Sequence, residues 1–138
     1  MKDSVLEFRK IMEYALILFV LVFLFFFTVL LFLRRRAIAR RSSGPFFAPY
    51  HINRGIFYIH VALCFSRRMI PLKEIKQITY AIFRGRSGGG ARYAFYIELR
   101  NGKTIPFFFG KSKRNEELVE KLKRNAGRYG FKVDSTGN

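Results

Sequence analysis

The chain has 138 residues, which suffice for one domain and one appendage. Lys and Arg number 26 against nine acidic residues, so the formal net charge is +17 and anionic partners are favoured. The single cysteine, Cys64, excludes an internal disulfide and agrees with a reducing compartment.

An uncharged segment runs from Tyr14 to Leu33 and consists mostly of Phe, Leu, Ile and Val. As a helix it would be roughly 30 Å long, which is the thickness of the hydrocarbon core of a bilayer. A buried core helix would carry a polar stripe, whereas the only polar groups here are on Tyr14 and Thr28. A cleaved signal peptide would be shorter and would end at small residues, whereas arginines follow Leu33. The pattern predicts a retained transmembrane helix over residues 14–33.

The helix is predicted to extend beyond the span at both ends. Ser4 and Glu7 fit a capping box, which would start the helix at Ser4. No Gly or Pro follows until Gly44, so the helix can continue to about Arg41. Gly44 can end a helix and Pro45 cannot continue it. The predicted organisation is a membrane anchor over residues 1–41, a short linker over 42–49, a domain over 50–130 and a tail over 131–138.

The charged residues differ between the two ends of the span. Before it, Lys2, Arg9 and Lys10 are balanced by three acidic residues. After it comes an arginine cluster without an acidic residue, made of Arg34, Arg35, Arg36, Arg40 and Arg41. Because the flank richer in Lys and Arg stays in the cytoplasm, the C-terminal domain is expected on the cytoplasmic side of the cell (plasma or inner) membrane.

Short strand patterns follow the linker. Asn101-Gly102 is the strongest hairpin signal in the chain. Pro106 lacks a backbone donor, so the strand that contains it should be an edge strand or tolerate a missing donor. Strands are predicted over residues 50–52, 56–65, 76–84, 92–100 and 104–109, with one helical turn at 73–75.

A terminal helix is expected from Ser112 or Asn115 to Asn125, with Gly127 or Gly130 as its cap. The apolar stripe of this helix consists of Leu118, Val119, Leu122 and Ala126. The order of elements predicts an α+β class, in which a small antiparallel sheet is capped by a C-terminal helix behind the N-terminal transmembrane helix.

Four stretches carry a resemblance to a known family. They are Tyr50-His-Ile-Asn-Arg-Gly-Ile-Phe57, Ile70-Pro-Leu-Lys-Glu-Ile-Lys-Gln-Ile78, Ile97-Glu-Leu-Arg-Asn-Gly-Lys-Thr-Ile-Pro-Phe107 and Asn115-Glu-Glu-Leu-Val119. Together they resemble a bacterial pleckstrin-homology-like (PH-like) domain over about residues 46–130. The resemblance implies a strongly bent sheet or partly open barrel, closed by the terminal helix, in a small membrane protein.

The resemblance does not carry inositol-phosphate binding with it. Members that bind phosphoinositides have a basic cluster in the first hairpin, whereas Arg54 is the only basic residue in that turn here. Fold analogy alone does not establish a function.

Basic residues dominate the region after the anchor. Residues 42–138 contain 18 Lys and Arg against six acidic residues, a net charge of +12. A basic surface next to a membrane attracts anionic lipid headgroups, and the arginine cluster Arg34, Arg35, Arg36, Arg40 and Arg41 is the best candidate for such contacts. The alternative is that these arginines only set the topology.

A second basic group frames the glycine-rich loop over residues 85–90. Arg84, Arg86 and Arg92 are candidates to reach lipid, phosphate or an acidic protein, and the alternative is a solvated loop. Lys111, Lys113 and Arg114 precede the terminal helix, where cations oppose the helix dipole.

Nucleic-acid binding and catalysis are weakly indicated. A strongly basic chain with interleaved aromatic residues is typical of some nucleic-acid binders, but no established motif is present. His51, His60 and Cys64 match no metal-ligand spacing, so neither a metal nor a cofactor is predicted. No catalytic residue set is found, and the chain is not expected to be an enzyme.

Two function classes remain from the sequence. The first is a membrane-tethered scaffold or binding module that recruits a protein partner or forms a homo-oligomer. The second is a module that senses anionic lipids of the inner leaflet. An accessory subunit of a larger membrane complex is a third possibility.

Overall fold

A computed structural model describes residues 1–62, 64, 66–86 and 89–136. Helix α1, Lys2–Ser42, is continuous, as its lack of Gly and Pro predicts. The chain divides into two compact units, Met1–Arg34 and Arg35–Asn138. The last two turns of α1 therefore belong to the second unit, in which Ile38, Ala39 and Ser42 are buried. The predicted border between anchor and linker thus lies inside the second unit.

The first unit is apolar and exposed along its length. Within the described residues, α1 is the one helix long and apolar enough to cross a bilayer, and none of its most apolar window is buried. The same length and composition also suit a signal helix.

The predicted capping box at Ser4 is wrong. The helix begins at Lys2, so Ser4 lies inside the first turn rather than in front of it. Its hydroxyl donates to the Met1 carbonyl at 2.9 Å, which is a bond along the helix and caps no N–H group.

The second unit continues with a three-stranded antiparallel meander in the order β1-β2-β3. Its strands are β1 Tyr50–Asn53, β2 Ile56–Ile59 and β3 Met69–Pro71, followed by the 3₁₀ turn Leu72–Glu74. Arg54 and Gly55 both have positive φ, 50° and 74°, which is the backbone of a tight primed hairpin turn.

Strand β2 is shorter than the predicted strand over 56–65. After Ile59 the chain leaves the sheet, and the buried guanidinium of Arg68 donates to three carbonyls of the loop that follows. It donates to Val61, Ala62 and Cys64 at 2.9, 2.7 and 3.2 Å. Phe65, the predicted end of that strand, lies outside the described residues.

The second sheet is mixed, with the order β6-β5-β4-β7. Its strands are β4 Ile75–Phe83, β5 Arg92–Leu99, β6 Thr104–Gly110 and β7 Lys132–Ser135. Asn101-Gly102 forms the predicted hairpin turn, with Gly102 at φ 87°. Pro106 lies in β6, an edge strand, where its missing donor breaks no ladder.

Strand β7 replaces most of the predicted tail over 131–138. It pairs in parallel with β4, placing Val133 beside Ile78. The residue before it, Phe131, is buried and fixes the chain against the core. Val133 is the one strong strand former among its four residues, so the local sequence did not indicate a strand, and the partner that pairs with them is distant in sequence.

Helix α2, Lys113–Tyr129, closes the unit. Ser112 is its N-cap and accepts from the Asn115 N–H at 3.2 Å. Gly130, at φ 82°, is the left-handed C-cap, so the helix passes the predicted end at Asn125 by one turn. Val119, Leu122 and Ala126 are buried, as the predicted stripe required.

The core is aromatic and is organised around Phe95. Its ring centroid lies 4.9 Å from that of Phe109, 5.4 Å from Phe107 and 5.6 Å from Tyr80. These rings belong to three neighbouring strands, so they hold the inner face of the second sheet together. The α+β class is confirmed in this form: one long apolar helix, a small antiparallel sheet, a mixed sheet and a C-terminal helix.

We expect Phe95→Ala to lower the free energy of unfolding by about 3–5 kcal/mol, because it opens a cavity among rings that cannot all move in. The matched control is Phe47→Ala, at a side chain that is 74% exposed, with an expected change of about 0.5 kcal/mol or less. Urea unfolding of the detergent-solubilised chain, followed by near-UV tyrosine dichroism, measures both. Equal losses in the two variants would contradict the assigned core.

Candidate functional site

The arginine cluster at the end of α1 is divided between two environments. Arg34 and Arg35 are half-buried, whereas Arg36, Arg40 and Arg41 are exposed. At about 100° per residue, Arg36 and Arg40 lie on the helix face opposite the buried residues of the last two turns.

Arg35 instead contacts its own unit. Its Nε donates to the Phe46 carbonyl at 3.0 Å, and its guanidinium lies 5.1 Å from the centroid of the Phe46 ring. This contact ties the helix end to the segment that was predicted to be a linker.

The three loop arginines are all exposed. Arg84 and Arg86 follow β4, and Arg92 begins β5. Arg92 stands opposite Phe83 in the β4–β5 register. Ser87 and Gly88, in the loop between them, lie outside the described residues. Arg92 therefore stands next to an exposed aromatic residue, and Arg84 and Arg86 follow that residue in the sequence.

Arg35, from the arginine cluster, and Arg92, from the loop group, line two neighbouring depressions of the surface. Arg35 and Phe47 line one of about 210 Å³, and Phe83 and Arg92 line another of about 500 Å³. Both volumes are open to solvent, and the two depressions share Val61 and Phe108.

Phe108 is exposed although it stands between two buried phenylalanines of the same strand. Strand β6 alternates strictly, so Phe107 and Phe109 are buried while Phe108 is 53% exposed. The period of two was a usable signal, since Pro106 and Phe108 share one face of the strand.

A buried hydrogen-bond group joins the end of α1 to the sheet, and the sequence did not indicate it. His60 is completely buried. Its Nε2 lies 2.7 Å from Ser42 Oγ, and its Nδ1 lies 3.1 Å from the Ala48 carbonyl. Ser42 Oγ also accepts from the Gly44 N–H at 3.1 Å, and the Asn53 amide donates to the Ser42 carbonyl at 3.0 Å.

Burial lowers the pKa of His60, because the imidazolium would be poorly solvated there. The nearby charges of His51 and Arg35 act in the same direction, whereas the hydrogen bond to Ala48 opposes it. A neutral ring accepts from Ser42 at Nε2 and donates to Ala48 from Nδ1. We name this group, Ser42, His60 and Ala48, the junction.

The histidines do not form a metal site in the part of the chain that the structure describes. The His51 and His60 rings stack, with centroids 6.5 Å apart, and Cys64 is buried in the core. No group of three potential ligands is found among the described residues.

A small groove lies between β1 and α2, with a volume of about 90 Å³. Most of its wall is apolar, and Lys121, Asn125 and His51 supply polar groups at its rim. Tyr50 also lines the groove, and its buried hydroxyl has no hydrogen-bond partner among the described residues. The lining residues are Tyr50, His51, Ile52, Leu118, Lys121, Leu122, Asn125 and Tyr129.

Of the three basic residues that were expected to precede the terminal helix, Lys111 does so, whereas Lys113 and Arg114 lie in its first turn because α2 begins at Lys113. Lys111 Nζ lies 3.3 Å from the carboxylate of Glu116 in the first turn of the helix. This ion pair offsets the unfavourable placement of a cation near a helix N-terminus.

Comparisons with protein families, with curated proteins and with solved structures give no match to this chain.

The junction makes stability depend on pH. In the unfolded chain the His60 imidazole titrates near its ordinary pKa of about 6.5, and in the folded chain its pKa is lower. The folded state therefore binds fewer protons, so stability is present above about pH 6.5 and is lost as the pH falls through the folded pKa. We expect the free energy of unfolding to decrease between pH 7 and pH 5, measured by urea titration.

His60→Gln should flatten this pH dependence while lowering stability at pH 7. His51→Gln is the control, since the pKa of His51 is also lowered but the residue is only half-buried. This variant should keep most of the dependence of the unfolding free energy on pH. A slope unchanged by His60→Gln would contradict the assignment.

Proposed function

We propose that the chain is a single-pass membrane protein, whose C-terminal unit is a PH-like binding module at the cytoplasmic face that recruits a protein partner. Residues 14–33 serve as the anchor, and the arginines that follow keep the second unit in the cytoplasm. The groove between β1 and α2 is the observation that carries the recruiting role.

The PH-like assignment is supported by the order of the elements. An antiparallel meander is followed by a second, larger sheet, and the helix after it packs its apolar stripe into the common core. This is the order that the resemblance implies, with β7 as an added parallel strand.

The size of the groove favours a protein partner over a small cofactor. Pockets for drug-sized ligands and cofactors measure about 300–1,000 Å³. The groove measures about 90 Å³, which suits one inserted side chain of a larger partner. Ile52, Leu118 and Leu122 provide the apolar contact for that side chain.

Charge selects the type of partner. Lys121 stands at the rim of the groove, and the whole chain carries a net charge of +17. Two copies of such a chain repel one another, whereas an acidic segment is attracted. The proposed partner is therefore an acidic protein segment with one apolar side chain, rather than a second copy.

Photo-crosslinking in cells tests this proposal. A benzophenone amino acid at Leu118, on the groove, should give one dominant adduct whose cross-linked peptide is acidic. Lys121→Glu should lower its yield by about tenfold, because it places like charges together. The charge-matched control, Lys103→Glu in the distant β5–β6 turn, should leave the yield unchanged.

Two results would contradict the proposal. One is an equal loss of adduct yield in Lys121→Glu and Lys103→Glu, which would indicate a general effect of charge. The other is an adduct formed solely with a second copy of the chain.

A further inference from the structure

Three phenylalanine side chains of the second unit are exposed to solvent. Phe47, Phe83 and Phe108 are 74%, 54% and 53% exposed. They come from the segment after α1, from the end of β4 and from β6. We name them the aromatic strip.

The strip is continuous across the surface. Phe47 lines the smaller depression and Phe83 the larger one, and Phe108 belongs to both. Val61 is the second residue that both depressions share. Three exposed rings on one connected face are a patch rather than scattered surface residues.

Positive charge borders the strip at both ends. Arg35 lines the depression at the Phe47 end and Arg92 lines the one at the Phe83 end, and Arg84 and Arg86 follow Phe83 in the sequence. No acidic side chain lines either depression among the described residues. The strip therefore combines apolar rings with cations.

The second unit follows the apolar segment directly in the chain. Arg35 follows Leu33, the last residue of the apolar segment, by two positions. At about 1.5 Å per residue, it lies roughly 3 Å along the helix from the end of that segment. Arg35 contacts Phe46, and Phe46 precedes the first ring of the strip.

We propose that the aromatic strip docks on the anionic surface of the leaflet that anchors the chain. Aromatic rings prefer the interfacial region of a bilayer, and arginines beside them pair with anionic headgroups. This inference rests on the membrane anchoring in the proposed function and is independent of the partner groove. An acidic protein would satisfy the arginines but would not account for the three exposed rings between them.

The test uses the full chain in nanodiscs with an environment-sensitive fluorophore on one cysteine. Cys64→Ala removes the native thiol, and Phe83→Cys or Phe108→Cys carries the label. Nanodiscs contain phosphatidylcholine alone or mixed with phosphatidylglycerol, each with spin-labelled lipid as the quencher. We expect a blue-shifted emission and strong quenching at both positions in the anionic nanodiscs, and weak quenching in the neutral ones.

Charge variants test the basic border. Each of Arg84→Gln, Arg86→Gln and Arg92→Gln should lower the ratio of docked to undocked domain by about fivefold. The combined variant should return the quenching to the value in neutral nanodiscs. The charge-matched control combines Arg124→Gln, Arg128→Gln and Lys132→Gln. We expect it to reduce the quenching less than the combined variant of Arg84, Arg86 and Arg92 does.

Labels at two further positions distinguish a failure of docking from a failure of membrane anchoring. A label at Leu24→Cys, inside the apolar segment, should be quenched in every nanodisc, and one at Arg128→Cys should stay unquenched. Quenching at Leu24 without quenching at the strip overturns the docking and leaves the anchor intact. An unquenched Leu24 label overturns the anchoring itself. Equal quenching of the strip in both lipid mixtures, or quenching that follows protein concentration instead of lipid, also overturns the inference.

Discussion

The exposed apolar surface of helix residues 14–33 is the feature on which the rest of the structure depends. Nearly all of its Phe, Leu, Ile and Val side chains are exposed, and its most apolar window is not covered by any residue that the structure describes. The hydrophobic effect makes such a surface unfavourable in water. Its one hydroxyl-bearing aliphatic residue, Thr28, donates to the Leu24 carbonyl at 2.8 Å, as a group in hydrocarbon must. A bilayer accommodates both the apolar side chains and the internally bonded hydroxyl, and we therefore propose that residues 14–33 lie in one.

The end of the same helix belongs to the folded unit that follows. Ile38, Ala39 and Ser42 are buried there, and the junction bonds Ser42 to His60. The helix end is thus part of the core rather than a flexible tether. A domain cut at residue 46 would lose these buried contacts, so the folded unit is expected to need residues from about Arg35 onward.

The elements that local patterns govern were predictable. The Asn101-Gly102 turn, the edge position of Pro106 and the stripe of α2 each follow from a few neighbouring residues. Features that depend on distant partners were not. Strand β7 forms because β4 lies beside it, and His60 is buried because the helix end covers it. Neither condition can be read within a short window of sequence.

The candidate sites divide in the same way. The charge of the arginine groups was evident from the sequence, but the rings between them were not, because only the register of β4, β5 and β6 shows that Phe83 and Phe108 are near Arg92. The groove between β1 and α2 required tertiary packing of residues about 70 positions apart, so no motif could have indicated it.

The most direct test of the central claim is the topology of the chain in a cell. Green fluorescent protein or alkaline phosphatase, fused after Asn138, reports the side of the membrane on which the second unit lies. A single-pass anchor with a cytoplasmic module predicts a fluorescent fusion in the membrane fraction and an inactive phosphatase fusion. An active phosphatase, or a fluorescent fusion in the soluble fraction, would contradict the account.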